Sequence, residues 1–177
     1  MTIIPAKGNL LASKSELLVN AVNTVGVMGA GLALQFKQEF GDEIMLDYKK
    51  ACQNGSLRPG QVQLVRVYGK TSHGTQPYAV INFPTKKHWR DPSKIEWIEE
   101  GLQSLARIIV TRKIRSIAIS RIGCGLGGLN WSNVKPLIEK YLGDLNVTAS
   151  VPEYYPSGEL KTINHDVVVP VVVELYE

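Results

Sequence analysis

Two glycine-rich stretches, at 24–33 and 121–129, are the feature that most limits what this chain can fold into. Each follows an apolar run typical of a buried β-strand and precedes a pattern typical of a helix. Glycine allows a positive φ and the close approach of another molecule, and a helix N-terminus offers unpaired N–H groups with partial positive charge. Two such loops in 177 residues predict one ligand with two phosphates, held from both sides.

Strand and helix patterns alternate along the chain, which predicts an α/β layered sheet. We expect helices at 31–53, 93–113 and 131–141, and strands at 2–4, 16–22, 61–68, 78–83, 116–122 and 146–151. A moderate polar loop joins the third and fourth strands, so they are expected to form a hairpin and to make part of the sheet antiparallel. Ser93, with Glu96 three residues later, is expected to cap the second helix.

The chain divides into a main domain at 1–155 and a C-terminal extension of different character at 156–177. Within the extension, the β-prone run at 167–173 contains Pro170, which argues against a central strand because proline cannot donate to a ladder. We therefore expect either an added edge strand or the start of a region belonging to a longer protein.

The composition limits the partners and the compartment. A net charge of +4 is compatible with polyanionic substrates. The sequence has no apparent secretion signal and no apolar run of membrane-spanning length, and its two cysteines fit neither a disulfide framework nor a metal pattern. We expect a cytoplasmic protein with no membrane partner and, since no cluster of ligating residues has metal spacing, no metal.

The residues around the two loops suggest further roles. Cys124 lies between two glycines and is expected to be a small residue fitted under the loop rather than a nucleophile, because the sequence suggests no partner histidine. The strand end at 19–23 places two asparagines beside the first loop. Asn20 is expected to tie strand to loop, whereas Asn23 lies where it could hold a ribose hydroxyl.

The order and spacing of these motifs resemble the macrodomain family, an ADP-ribose-binding module. The resemblance rests on Gly-Asn at 8–9, Val-Asn-Ala-Val-Asn at 19–23 and the glycine motifs at 28–33 and 122–129. The segments 29–37, 82–90 and 121–125 are similar to the branch that removes single ADP-ribose groups by means of a lysine, and within it to the DNA-directed antitoxins. The resemblance covers about residues 5–150 and implies a three-layer α/β/α fold with a mixed, mostly parallel central sheet.

The resemblance implies ADP-ribose as ligand and product, with no further cofactor. Asn9 stands where macrodomains usually carry an aspartate that accepts a hydrogen bond from the adenine amino group. Tyr154 or Tyr155 is expected either to stack on adenine or to pack at the domain edge. The residues implied to bind ADP-ribose are Gly8, Asn9, Asn20, Gly29, Ala30, Gly31, Leu32, Thr85, Gly123, Cys124, Gly125, Leu126, Gly127 and Gly128, the glycine loops surrounding the pyrophosphate with their backbone amides.

The resemblance also implies that Lys86 is catalytic, with Asn23 at the distal ribose. A lysine near neutral pH is mostly an ammonium group and not nucleophilic. Two roles of Lys86 stay open: it could attack the anomeric carbon of the distal ribose, or it could stabilise charge as the glycosidic bond breaks. Relatives that act on acidic protein side chains carry an aspartate where this chain has Gly127, so a lysine–aspartate pair is not expected here.

The segment after Lys86 suggests the substrate. Lys87, His88, Trp89 and Arg90 combine phosphate-neutralising charge with an aromatic ring that could stack on an unpaired base. Because a modified base must leave the duplex to enter a pocket, single-stranded DNA is expected. The predicted function is removal of ADP-ribose from thymidine in DNA, with a DNA ADP-ribosyltransferase toxin as partner. The alternatives are removal of ADP-ribose from acidic protein residues and a non-catalytic ADP-ribose reader.

Overall fold

The computed structural model describes residues 2–154 and 156–177, with only the backbone described at 149–154 and 160–166. Its strands are β1 (Ile3–Ala6), β2 (Leu17–Val22), β3 (Gln63–Arg66), β4 (Ala79–Pro84), β5 (Ser116–Ser120), β6 (Asn146–Tyr154), β7 (Leu160–Pro170) and β8 (Val172–Tyr176). Six of them form a sheet in the order β1-β8-β5-β2-β4-β3. Only β3 runs antiparallel to its neighbour in that sheet, so the predicted hairpin and the mixed, mostly parallel sheet are confirmed.

Helices cover both faces of the sheet. They are α1 (Gly31–Phe40), α2 (Asp42–Gln53), α3 (Ile95–Arg112) and α4 (Trp131–Leu142). Successive side chains of a strand point to opposite faces, so Leu17 and Val19 of β2 pack in the core beneath α3 and α4, whereas Leu18 packs beneath α1 and α2. The expected three-layer α/β/α fold is confirmed.

The first predicted helix is divided in two. Gly41 takes a φ of +55° between α1 and α2, a conformation that glycine adopts without steric cost. Its N–H donates to the carbonyl of Lys37 at 2.8 Å and closes α1. The expectation of one helix over 31–53 is therefore wrong at this residue, because the apolar spacing of the segment continues through the break.

Ser93 does not cap α3. The helix begins at Ile95, with Lys94 at the N-cap position and no side-chain capping hydrogen bond. Instead, the backbone N–H of Ser93 donates to the carbonyl of Gly127 at 3.0 Å. The expected capping box is wrong, and Ser93 supports the second glycine-rich loop instead.

The C-terminal strands also differ from the prediction. β6 pairs with β7 in a separate two-stranded sheet, and β8 enters the central sheet between β1 and β5. Pro170 ends β7, and the side chains of Val171, Val173 and Leu175 that follow it are buried. The run at 167–173 is therefore divided: its first part, up to Pro170, lies in β7 of the two-stranded sheet, whereas its end begins β8, which is an interior strand of the central sheet and not the expected edge strand.

Among the described residues, no helix is long and apolar enough to cross a bilayer.

Candidate functional site

A cavity of about 510 Å³ opens at the carboxyl ends of β2, β4 and β5. Ligands of open α/β sheets bind at this edge. The described residues that line it are Ala21, Val22, Asn23, Val27, Gly29, Ala30, Gly31, Leu32, Ala33, Thr85, Lys86, Trp89, Ser120, Arg121, Ile122, Gly123, Gly125, Leu126 and Gly127. The two glycine-rich loops therefore face one common space.

Both loops present unpaired backbone donors. The amides of Gly29, Ala30 and Gly31 lie at the N-terminus of α1, and in the described part of the chain they have no hydrogen-bond partner. The same holds within the described ranges for the amides at 125–127 in the second loop. Free N–H groups on two sides, one set at a helix N-terminus, suit a bound anion.

A second cleft of about 500 Å³ adjoins the cavity and shares Leu32 and Ser120 with it. Gly8, Asn9 and Tyr176 line this cleft. The Asn9 side-chain oxygen accepts a hydrogen bond from the Leu11 amide at 3.0 Å and caps a short 3₁₀ turn at Leu10–Ala12. Its amide N–H groups have no partner within the described part of the chain, so they are available to a ligand.

Sequence reasoning missed Tyr176. It is the last residue of β8 and pairs in register with Ala6 at the end of β1, which places its ring beside the Asn9 turn. The nearly continuous apolar run at 171–175 could have revealed β8, since interior parallel strands have this pattern. Of the tyrosines that were expected there, Tyr154 has no described side chain and Tyr155 lies outside the described residues.

Asn23 shapes the first loop. Its Oδ1 accepts hydrogen bonds from the amides of Val25, Gly26 and Val27 at 3.0, 3.3 and 3.4 Å, and from the hydroxyl of Tyr48 at 3.0 Å. Its Nδ2 donates to the Val27 carbonyl at 2.7 Å. The second N–H of this amide has no partner in the part of the chain that the structure describes, so it is available to a ligand in the cavity.

The Tyr48 hydroxyl anchors this loop to α2. The ring is fully buried. The hydroxyl lies within hydrogen-bond distance of two acceptors of Asn23, the backbone carbonyl oxygen at 2.8 Å and Oδ1 at 3.0 Å. Burial raises the pKa of Tyr48 well above its usual value, which keeps the hydroxyl protonated as a donor. The loop is thereby fixed before any ligand enters.

Replacing Tyr48 with phenylalanine is expected to lower the free energy of unfolding by about 1–3 kcal/mol, because the buried carbonyl oxygen of Asn23 loses its hydrogen-bond donor. Urea denaturation measures the loss. Tyr141→Phe is the matched control: its hydroxyl bonds to Glu99 and Gln103 on the surface, so a change within about 0.5 kcal/mol is expected. Equal losses in the two variants would contradict the anchoring role.

Lys86 joins the end of β4 to the second loop. The side chain is 9% exposed, and its Nζ donates to the carbonyl oxygens of Leu126 at 3.0 Å and Trp89 at 3.1 Å. An ammonium group has three donors, and since the described residues engage two of them, one remains for a ligand. Lys86 and Arg121 are the charged residues among the described lining of the cavity, which therefore has a positive charge and no carboxylate.

Thr85 and the start of the first loop are held close to Lys86. The Thr85 amide donates to the carbonyl of Val22 at 2.9 Å, and the Thr24 amide donates to the carbonyl of Lys87 at 3.1 Å. These bonds tie the segment that follows β4 to the segment that follows β2.

Three of the residues implied to bind ADP-ribose, Asn20, Cys124 and Gly128, line neither the cavity nor the adjoining cleft. Asn20 is fully buried, and its Nδ2 donates to Oδ1 of Asn82 at 3.2 Å. The Cys124 amide donates to the Arg121 carbonyl, and the Gly128 amide is also used within its own turn. Burial raises the pKa of the Cys124 thiol, which is consistent with a small fitted residue rather than a nucleophile.

Gly127 is enclosed by its neighbours. A Cβ atom at this position would lie 2.4 Å from the carbonyl oxygen of Gly123 and 2.4 Å from Oγ of Ser93. The first of these atoms belongs to the backbone and cannot rotate away. No side chain, an aspartate included, fits here unless the loop is rebuilt.

The segment after Lys86 lies at the mouth of the cavity. Lys87, Trp89 and Arg90 are exposed, and of the four predicted DNA-binding residues only Trp89 is part of the cavity lining. The rings of His88 and Trp89 stack with their centroids 3.9 Å apart, and Nδ1 of His88 accepts a hydrogen bond from the Arg90 amide at 3.1 Å. The segment therefore presents an ordered aromatic and basic surface.

Comparisons with known proteins agree with this geometry. The sequence model of the Macro domain matches residues 19–138. A curated protein of Thermus aquaticus named DNA ADP-ribosyl glycohydrolase is 48% identical over 136 residues, which are 77% of this chain and 36% of that protein. The chain thus spans little more than a third of the length of that relative.

Solved structures that are similar to this chain include macrodomains. The macrodomain of Thermus aquaticus DarG superposes with a TM-score of 0.77 at 40% identity, over 99% of this chain and 97% of that one. Thermosipho africanus DarTG in complex with ADP-ribose superposes with a TM-score of 0.74 at 31% identity, over 96% of this chain and 39% of that one.

Proposed function

This chain belongs to the macrodomain family, and we propose from this premise that it is a hydrolase that removes ADP-ribose from thymine bases of single-stranded DNA. The observation that carries the proposal is the cavity itself. Among the described residues, two loops of free amides face a buried lysine across a space lined by no carboxylate, and an aromatic, basic segment borders its mouth.

The two adjoining cavities suit the shape of ADP-ribose. In our proposal the adenine lies in the smaller cleft, where the Asn9 amide donates to a ring nitrogen and the Tyr176 ring packs on the base. The pyrophosphate lies between the loop amides, and the distal ribose extends to Asn23 and Lys86. The solved complex of the Thermosipho africanus relative with ADP-ribose supports this choice of ligand.

Lys86 is proposed to act as a cationic donor. Its two hydrogen bonds to carbonyl oxygens suit the ammonium form, and the third N–H is free to donate to the departing base. Water adds to the anomeric carbon, the carbon–nitrogen bond breaks, and its electron pair leaves with the base, which takes up a proton. A donor placed where negative charge develops lowers the barrier of such a step.

The surroundings of Lys86 favour a nucleobase as the leaving group. Trp89 is 46% exposed and Leu126 is 79% exposed, and both line the cavity beside the lysine. A flat base stacks well on such surfaces. Gly127 leaves no room for the aspartate of the protein-directed relatives. A hydrolase of this kind requires a DNA ADP-ribosyltransferase to make its substrate, and we propose such an enzyme as its partner.

Turnover of two substrates tests the proposal. One is a single-stranded oligonucleotide ADP-ribosylated on thymine, and the other is a protein ADP-ribosylated on glutamate. We expect release of ADP-ribose from the DNA and at least about 100-fold slower release from the protein, because the second lacks a base to stack. Preferred release from the protein would support a protein-directed hydrolase, and binding of ADP-ribose without any release would support a reader.

A further inference from the structure

Two tryptophans beyond the segment at 87–90 lie beside cationic side chains. The Trp97 ring centroid is 5.8 Å from Nζ of Lys87 and 5.2 Å from Nζ of Lys94. The Trp131 ring centroid is 5.3 Å from the guanidinium carbon of Arg121. Both clusters adjoin the catalytic cavity, since Lys87 follows Lys86 directly and Arg121 is part of the lining.

The cations of these clusters are not engaged elsewhere. Lys87, Lys94 and Arg121 are exposed, and none of them forms an ion pair within the part of the chain that the structure describes. Trp97 and Trp131 are half-buried, so each ring keeps surface that another flat group can reach. Exposed cations next to partly exposed rings are the combination that binds single-stranded nucleic acid, the cations contacting phosphates and the rings contacting bases.

The two clusters lie on different segments that flank the second loop. Trp97 is in the first turn of α3, where the preceding Ser93 is bonded to Gly127, and Trp131 is the first residue of α4, separated from the loop by the N-cap residue Asn130. A strand whose modified nucleotide enters the cavity must leave it in two directions. The two clusters offer a ring and at least one cation on each of two separate segments beside the cavity.

We propose that Trp97 and Trp131 stack the bases of the nucleotides that flank the modified one, while Lys87, Lys94 and Arg121 neutralise the adjoining phosphates. This inference rests on the proposed function and names the substrate more closely. The protein recognises a stretch of single strand with nucleotides on both sides of the modified base, not an isolated nucleoside.

The test compares two substrates that share the same bond. One is ADP-ribosylated thymidine as a free nucleoside, and the other is the same nucleoside in the middle of a single-stranded oligonucleotide. Wild-type protein is expected to show a higher kcat/KM on the oligonucleotide. Trp97→Ala is expected to lower kcat/KM on the oligonucleotide by about tenfold and on the nucleoside by less than about twofold.

Tyr68→Ala is the matched control, because Tyr68 is 70% exposed beside Arg66 at the opposite end of the sheet. It should leave both substrates unaffected. Trp131→Ala is tested with Trp131→Phe, which keeps a ring against the core. An equal loss on both substrates, no loss on either, or wild-type protein that does not prefer the oligonucleotide would overturn the proposal.

Binding of an unmodified oligonucleotide separates this proposal from the proposed function, since it needs no turnover. The double variant Lys87→Ala/Lys94→Ala is expected to reduce the slope of log K against log salt by about 1.4, the value for two lost phosphate contacts on a single strand. The control Lys14→Ala/Lys70→Ala, with both lysines exposed on loops at the far end of the sheet, should keep the wild-type slope. An unchanged slope in the first variant would overturn the role of these lysines even if the oligonucleotide is hydrolysed.

Discussion

Replacing Lys86 with alanine is expected to lower kcat on ADP-ribosylated DNA by about 10²–10⁴-fold, the usual contribution of a positioned proton donor. The Kd for free ADP-ribose should change by less than about threefold, because the phosphate-facing amides of both loops remain. Single-turnover release of ADP-ribose measures the first quantity, and calorimetric titration of ADP-ribose measures the second. The two readouts separate chemistry from binding.

Lys14→Ala is the matched control for this experiment, since it removes an exposed lysine far from the cavity and should keep wild-type turnover. Turnover by Lys86→Ala at the wild-type rate would exclude the lysine mechanism. A variant that also loses ADP-ribose binding would show that the bonds from Lys86 to Leu126 and Trp89 mainly maintain the shape of the site. Trapping with cyanoborohydride during turnover tests the role of the lysine: ADP-ribose bonded to Lys86 itself is expected only if this amine attacks the anomeric carbon, whereas adducts spread over exposed lysines report the free aldehyde of the released product.

Gly127→Ala is expected to have the second largest effect, on both stability and ligand binding. The new Cβ would lie 2.4 Å from the carbonyl oxygen of Gly123, so the loop must move. Forcing atoms into a packed site costs about 1–3 kcal/mol. The same movement displaces the amides at 125–127, and we expect the affinity for ADP-ribose to fall about tenfold or more. Urea denaturation and calorimetric titration check the two effects.

Gly125→Ala provides the comparison within the same loop. A Cβ at Gly125 meets no atom within 4 Å, and the residue does not have a positive φ. Its free energy of unfolding should stay within about 0.5 kcal/mol of the wild-type value. If Gly127→Ala is as stable as Gly125→Ala, the enclosed position of Gly127 does not determine the loop conformation.

The sequence was sufficient to predict the features that depend on neighbouring residues. Apolar spacing predicted the helices on both faces, and the polar loop before β4 predicted the hairpin with β3. The glycine-rich loops were predicted at strand ends because their motif is local. Both loops and Lys86 meet in one cavity, a placement that follows from parallel strands ending at one edge of the sheet.

The features that were missed depend on contacts between distant parts of the chain. Nothing near Asn23 in the sequence indicates that Tyr48 bonds to it, and nothing near Ser93 indicates a bond to Gly127. Pro170 was taken as evidence against a central strand anywhere in the run at 167–173. It ends β7, and the next strand, β8, begins after it and is intact. Because β8 was not predicted as a strand of the central sheet, Tyr176 at its end was not among the predicted site residues.

The pairing of β8 with β1 has a consequence for how the protein matures on the ribosome. Ala6 and Tyr176, which come from opposite ends of the described chain, lie in register, and the cleft beside Asn9 exists only when both are in place. Contacts of such large sequence separation form late in folding, and translation at about 5–20 residues per second delays them further. A nascent chain that already has both glycine-rich loops therefore still lacks the Tyr176 wall of that cleft, and, under the proposed function, full affinity for ADP-ribose is expected only after β8 has emerged.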